Sequence, residues 1–140
     1  VRERVCSNSN QSSSKLEGLH KMDSDSKLLL KAAEDYFAVW NSKDLKKLEN
    51  CFVAEKAVLR DWDISVEGTS KVVEANGNIF KAVPKIAIEV VKVHPCVCTC
   101  SASCEILVKL NNDKNEVLKV VDVIDFDKDY KIKALRAYKG

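Results

Sequence analysis

Between Thr99 and Leu110 every second residue is small or apolar. Cys100, Ala102, Cys104, Ile106, Val108 and Leu110 alternate with Thr99, Ser101, Ser103, Glu105, Leu107 and Lys109. Only an extended backbone sends alternate residues to opposite faces, so this run predicts a strand over 97–110 with one face on a core and one toward water. Such a strand cannot stand alone. It needs neighbours to pair its backbone and a second layer to cover its apolar row.

The flanking residues supply both. Strand patterns also cover 57–65, 85–94, 116–126 and 131–138, and the Asn-rich run from Asn111 to Asn115 predicts a hairpin loop. Helical spacing appears earlier in the chain. Leu29, Ala32, Ala33, Tyr36, Phe37 and Trp40 predict a helix over 27–41 behind a Ser/Asp cluster. Asp44 is a good N-cap for a second helix over 45–54. Val72, Val73, Asn76, Ile79, Phe80 and Val83 place a third over 71–83, ended by Pro84. Three early helices and a late run of antiparallel strands define an α+β class, with helices covering one face of a curved sheet.

The 140 residues suit one domain, and hydrophobic residues at 46% with charged ones at 31% are ordinary for a globular chain. Four glycines and two prolines exclude collagen-like, mucin-like and linker-dominated chains. A formal charge of +2 asks for neither nucleic acid nor acidic lipid, and no apolar run approaches the ~18 residues that span a bilayer. The polar tract Ser7–Ser14 has no periodicity and marks residues 1–25 as a tail, ahead of a domain over 26–140. Two readings of the tail stand: a native unstructured extension, or a foreign or upstream one, with Met22 as the natural start. Val1–Cys6 lacks the apolar region of a secretory leader, so the expected address is cytoplasmic or nuclear, not secreted, with reduced thiols.

Asp122 is the sharpest local signal. It lies in the row Leu118, Val120, Asp122, Ile124, Phe126, one acid among apolar residues. A carboxylate there must be paired, hydrogen-bonded or protonated, since burying it charged and alone is too costly. It is either an acid with raised pKa lining a pocket or a structural Asp held by Arg136 or a backbone amide. Tyr36, on the apolar face of the first helix, is a hydrogen-bond donor into a cavity or an ordinary core tyrosine. Asp61 and Asp63 flank Trp62 at a strand end and point to one side, as a general base beside an aromatic wall or as a solvated end. The opposite row of 117–126 is also partly apolar, and Val121 and Val123 on it predict an outer face covered by a second subunit.

The cysteines tempt a zinc reading through Cys96, Cys98, Cys100 and Cys104. On a strand, alternate residues sit roughly 6.5–7 Å apart, whereas tetrahedral zinc needs sulfurs within about 4 Å of each other. Reduced, buried thiols acting as small hydrophobes fit better. Asp125-Phe126-Asp127-Lys128-Asp129 opens like a calcium loop but has Tyr130 where Gly is needed and Arg136 where Glu is needed, so it reads as a hairpin turn. No metal or other cofactor is expected.

The element order resembles a known superfamily. So do Y-F-A-V-W-N-S-K-D-L near the start and V-V-D-V-I-D-F-D-K-D-Y-K-I-K-A-L-R-A-Y at the end. From Lys27 to Tyr138 the chain looks like the nuclear transport factor 2-like cone, a barrel-like α+β fold that includes the SnoaL-like and ketosteroid isomerase families. Tyr36 lies eight residues before Asp44, as the tyrosine of the isomerases precedes their Asp-Leu turn. The resemblance puts Asp61 at the general-base position, with Trp62 where a proline is usual, and Asp122 at the second acid. It implies a cofactor-free isomerase or cyclase with an Asp base and a Tyr/Asp oxyanion hole, the arrangement of the known isomerase. Trp40, Phe52, Trp62, Phe80 and Ile124 would line a pocket for a small apolar ligand. The alternative within the same fold is a non-catalytic module for ligand binding or dimerisation.

Overall fold

A computed structural model describes residues 23–140. The expectations for a secretory leader, for Met22 and for residues 1–22 of the tail lie outside the described residues. Helix α1 spans Ser24–Ser42, so it begins two residues before the expected domain boundary. Its N-cap is Asp23, whose carboxylate accepts from the Ser26 amide at 2.8 Å. Lys43 ends the helix in left-handed backbone with φ 60°, where glycine is usual. Asp44 then caps α2, Leu45–Glu49, by accepting from the Lys46 and Lys47 amides at 3.1 Å. This helix is shorter than the expected 45–54. The chain leaves it because Phe52 bridges Ile132 in parallel and the Val53 amide donates to the Ile132 carbonyl at 2.9 Å.

The strand expected over 57–65 is a short hairpin. Strand β1, Val58–Arg60, pairs antiparallel with β2, Ser65–Glu67, across a turn at Asp61. Helix α3, Thr69–Ala82, follows Gly68, whose φ of 104° belongs to glycine. The Thr69 hydroxyl donates to the Val53 carbonyl and accepts from the Ala57 amide, so the start of α3 is tied to the chain entering β1.

Four long strands complete the sheet: β3, Ala87–Cys96; β4, Ser101–Lys109; β5, Val117–Phe126; and β6, Ile132–Lys139. Between β3 and β4 the predicted strand 97–110 opens with a 3-10 turn, Val97–Thr99, and Cys100 at φ 49°. Asn111 and Asn115, both at φ 50°, form the β4–β5 connection. At the β5–β6 connection Asp127 Oδ1 accepts from the Asp129 and Lys131 amides at 2.9 Å, and Tyr130 has φ 60°. The calcium-like run is thus an Asx turn.

The order is β2-β1-β6-β5-β4-β3, with every pair antiparallel except β1 with β6. The sheet is open, not a closed barrel, and a bulge at Val91 bends β3. The helices cover its concave face. Ala102, Cys104, Ile106, Val120, Ile124 and Phe126 point inward against Leu29, Ala33, Phe37 and Trp40 of α1, so the inward parity read from β4 and β5 holds. Among the described residues, no helix is long and apolar enough to cross a membrane.

Candidate functional site

The concave sheet, α1, α3 and the β1–β2 turn enclose a cavity of about 310 Å³. That is near the lower end of the roughly 300–1,000 Å³ typical of small-ligand sites. Its walls are apolar, from Ile86, Ile106, Val108, Leu118, Val120 and Leu135. Tyr36, Trp40, Asn76, Asp61, Trp62 and Asp122 also face it. The structure therefore brings Tyr36, Asp61 and Asp122 to one cavity, from three distant segments of the chain.

Asp122 is there because of strand parity. Its cross-strand neighbours are Cys104 on β4 and Ala137 on β6, neither of them charged. Arg136, its expected partner, points the other way and pairs with Asp125 at 2.7 Å. The structural reading that needed Arg136 fails. Asp122 is 5% exposed, and among the described residues its carboxyl has no hydrogen-bond partner and is not sealed from the cavity. Burial first, and the nearby Asp61 charge second, push its pKa up to about 7. At neutral pH much of it is a protonated donor.

Tyr36 is in the same state. Its ring is held edge-on by Phe37 at 5.1 Å and Phe52 at 5.9 Å between centroids. Its hydroxyl has no protein partner among the described residues and opens to the cavity. Burial, then the Asp122 charge, hold its pKa well above the ordinary tyrosine value, so it keeps its proton. Asp61 behaves differently. Its Oδ1 accepts from the Asp63 amide at 2.7 Å and the Ile64 amide at 2.8 Å, forming the Asx turn that splits β1 from β2. Trp62, 41% exposed, stands at the mouth with Lys139 Nζ 5.5 Å from its ring centroid.

Three expected lining residues stand elsewhere. Phe80 packs behind Trp40, ring centroids 4.8 Å apart, and Phe52 packs behind Tyr36. Ile124 is fully buried in the core under α1. Each shares an apolar face with a lining residue but lies too far along it. The missed member is Asn76. It is 4% exposed, its Oδ1 accepts from Trp40 Nε1 at 2.9 Å, and its amide donates to the Val72 carbonyl. A lone amide on the apolar face of α3 was its signal, opposite an indole that needed an acceptor.

Of the thiols, Cys104 sits beside Asp122 as its cross-strand neighbour. Cys51, Cys96, Cys100 and Cys104 are free. Cys104 is buried, and burial pushes its thiol up to about 12. Cys98 is disulfide-bonded, so the fully reduced reading fails at that position.

No family model and no curated protein matches the sequence. Solved structures do match the fold. A protein of unknown function with a cystatin-like fold from Methylobium petroleophilum superposes with TM-score 0.71 at 18% identity, covering 82% of this chain and 77% of that one. A SnoaL-like protein of unknown function from Burkholderia thailandensis gives 0.69 at 13%, over 86% and 99%. SalBIII, described as an epoxide hydrolase/cyclase-like enzyme in pyran ring formation in the polyether salinomycin, gives 0.65 at 16%, over 81% and 92%. This chain shares the α+β fold of these cystatin-like and SnoaL-like solved structures.

Proposed function

We propose that the cavity binds a small apolar ligand with one polar acceptor, a carbonyl oxygen, and that Tyr36 and protonated Asp122 both donate to that atom. The carrying observation is that two proton-bearing groups open onto an apolar cavity without protein partners. Each such group costs about 1–3 kcal/mol while unpaired, and a ligand acceptor recovers that cost. On this reading the protein is a cofactor-free isomerase. Asp61 Oδ2 takes a proton from the carbon beside the carbonyl, Tyr36 and Asp122 hold the resulting enolate oxygen, and the proton returns to a different carbon. Structural likeness to a cyclase-like enzyme supports this class of chemistry.

A second reading, a non-catalytic ligand-binding module, is favoured by the Asx turn, which gives Asp61 a structural task. One variant separates the two. In Asp61→Asn the amide oxygen still accepts from the Asp63 and Ile64 amides, so the turn survives while the base is lost. Binding of a cyclohexenone is read from Trp40 and Trp62 fluorescence, and loss of deuterium beside its carbonyl by NMR. The isomerase reading expects unchanged binding and exchange slowed by about 100-fold or more in Asp61→Asn. Equal exchange refutes the base, and binding without exchange in the native chain selects the module.

The same proposal includes a homodimer through the outer sheet face near Val121 and Val123. Val121, Tyr138 and Val91 are exposed there, and Val121→Glu is the variant to compare by sedimentation.

A further inference from the structure

Outside the cavity, a groove of about 560 Å³ runs between the β1–β2 hairpin and one face of α3. Ile64 and Val66 form one wall. Ala75, Asn78, Ile79 and Ala82 form the other, at the three-to-four spacing of a single helical face. Lys71 and Glu74 line the groove at the start of this face, and Ala75, Ile79 and Ala82 further along it are small or apolar. The groove and the cavity share Asp61, Asp63 and Ile79, so they meet at the mouth. The cavity alone is small, and Tyr36 and Asp122, which face it, are buried.

We infer that the ligand is elongated: its carbonyl-bearing head fills the cavity, and an apolar tail passes the mouth and lies along α3. This rests on the pocket reading above and adds to it the class of ligand, a cyclic or branched ketone with a hydrocarbon chain. Continuity with the cavity favours a tail of the same ligand over a separate partner in the groove. A tail here buries methylenes against Ile64, Val66 and Ile79, while the small side chains of Ala75 and Ala82 leave the room for it.

The probe series is 2-alkylcyclohexenones from ethyl to decyl, titrated against tryptophan fluorescence. Buried methylenes tighten binding by about three- to fourfold each until the groove is full. Ala75→Phe, with Ala82→Phe as a second variant should the first fail to fold, fills the groove. Either variant abolishes the gain with chain length and leaves the ethyl compound bound as before. Binding of the ethyl compound with no gain along the series overturns the tail while leaving the pocket reading intact. A gain that persists in both groove variants also overturns it, by placing the tail elsewhere. Failure of every member to bind overturns the pocket reading and this inference together.

Discussion

Replacing Asp122 by Asn removes one ionisation and little else, so it isolates the cost of that acid. Burial holds Asp122 at about 7 against its ordinary 3.8. The folded chain therefore keeps this proton at pH values where the unfolded chain has lost it. The native state binds more protons, and stability falls as pH rises through that window. Below 3.8 both states are protonated and the acid costs nothing; above about 7 both are ionised and the whole cost is present. At about 1.36 kcal/mol for each tenfold change in proton affinity, the interval amounts to about 4 kcal/mol. That is a large share of the roughly 5–15 kcal/mol that holds a domain together. Urea unfolding of both proteins across the pH range reads the difference directly, because every other titrating group is common to both. The Asn variant should gain on the native chain by about nothing near pH 3, about 1.5–2 kcal/mol near pH 5 and about 4 kcal/mol from pH 7 upward. A difference independent of pH would show that Asp122 ionises in the fold as it does in water, and the claim that it faces the cavity as a protonated donor would fall with it.

Other perturbations have equally definite outcomes. Tyr36→Phe removes a buried hydroxyl with no protein partner, so the free energy of urea unfolding rises by about 1–3 kcal/mol, while cyclohexenone affinity drops about 3- to 12-fold for one lost hydrogen bond. Asn76→Leu strands the Trp40 indole N–H and costs about 1–3 kcal/mol in the same unfolding assay; a neutral result would mean the indole finds another acceptor. Lys43→Gly relieves left-handed backbone at the end of α1 and adds up to about 1 kcal/mol to stability.

Much of the site was legible because strand parity is a strict rule. One acid in the row from Leu118 to Phe126 had to face the interior, and it does. Helical spacing likewise turned Tyr36 and Trp40 inward with Leu29 and Ala33. What was not legible depended on hydrogen bonds that periodicity does not encode. Asp61-Trp62-Asp63 alternates like a strand, yet an Asp can bond the amides two and three residues on, and that local bond beat the extended pattern. At Val97–Thr99 the cysteine alternation continued through a turn for the same reason: small side chains satisfy both patterns. Phe52 and Phe80 were assigned to the right faces, but which aromatic reaches a cavity and which backs it is decided by depth along the element, a tertiary quantity. Asn76 needed its partner on another helix to be understood.

The last strand of the chain, β6, lies inside the sheet between β1 and β5, not at an edge. During synthesis the polypeptide emerges from its first residue onward, so every other element of the sheet is available before the strand that joins them. Until β6 docks, β1 and β5 each present an unpaired backbone edge, and Leu135 and Ala137 are missing from the cavity wall. Closing the sheet requires contacts between residues near 58 and near 134, so final assembly is a slow, non-local step. A chain stopped short of Ile132 leaves β1 and β5 unjoined and lacks Leu135 and Ala137 of the cavity wall, so the eight residues of β6 complete both the sheet and the cavity.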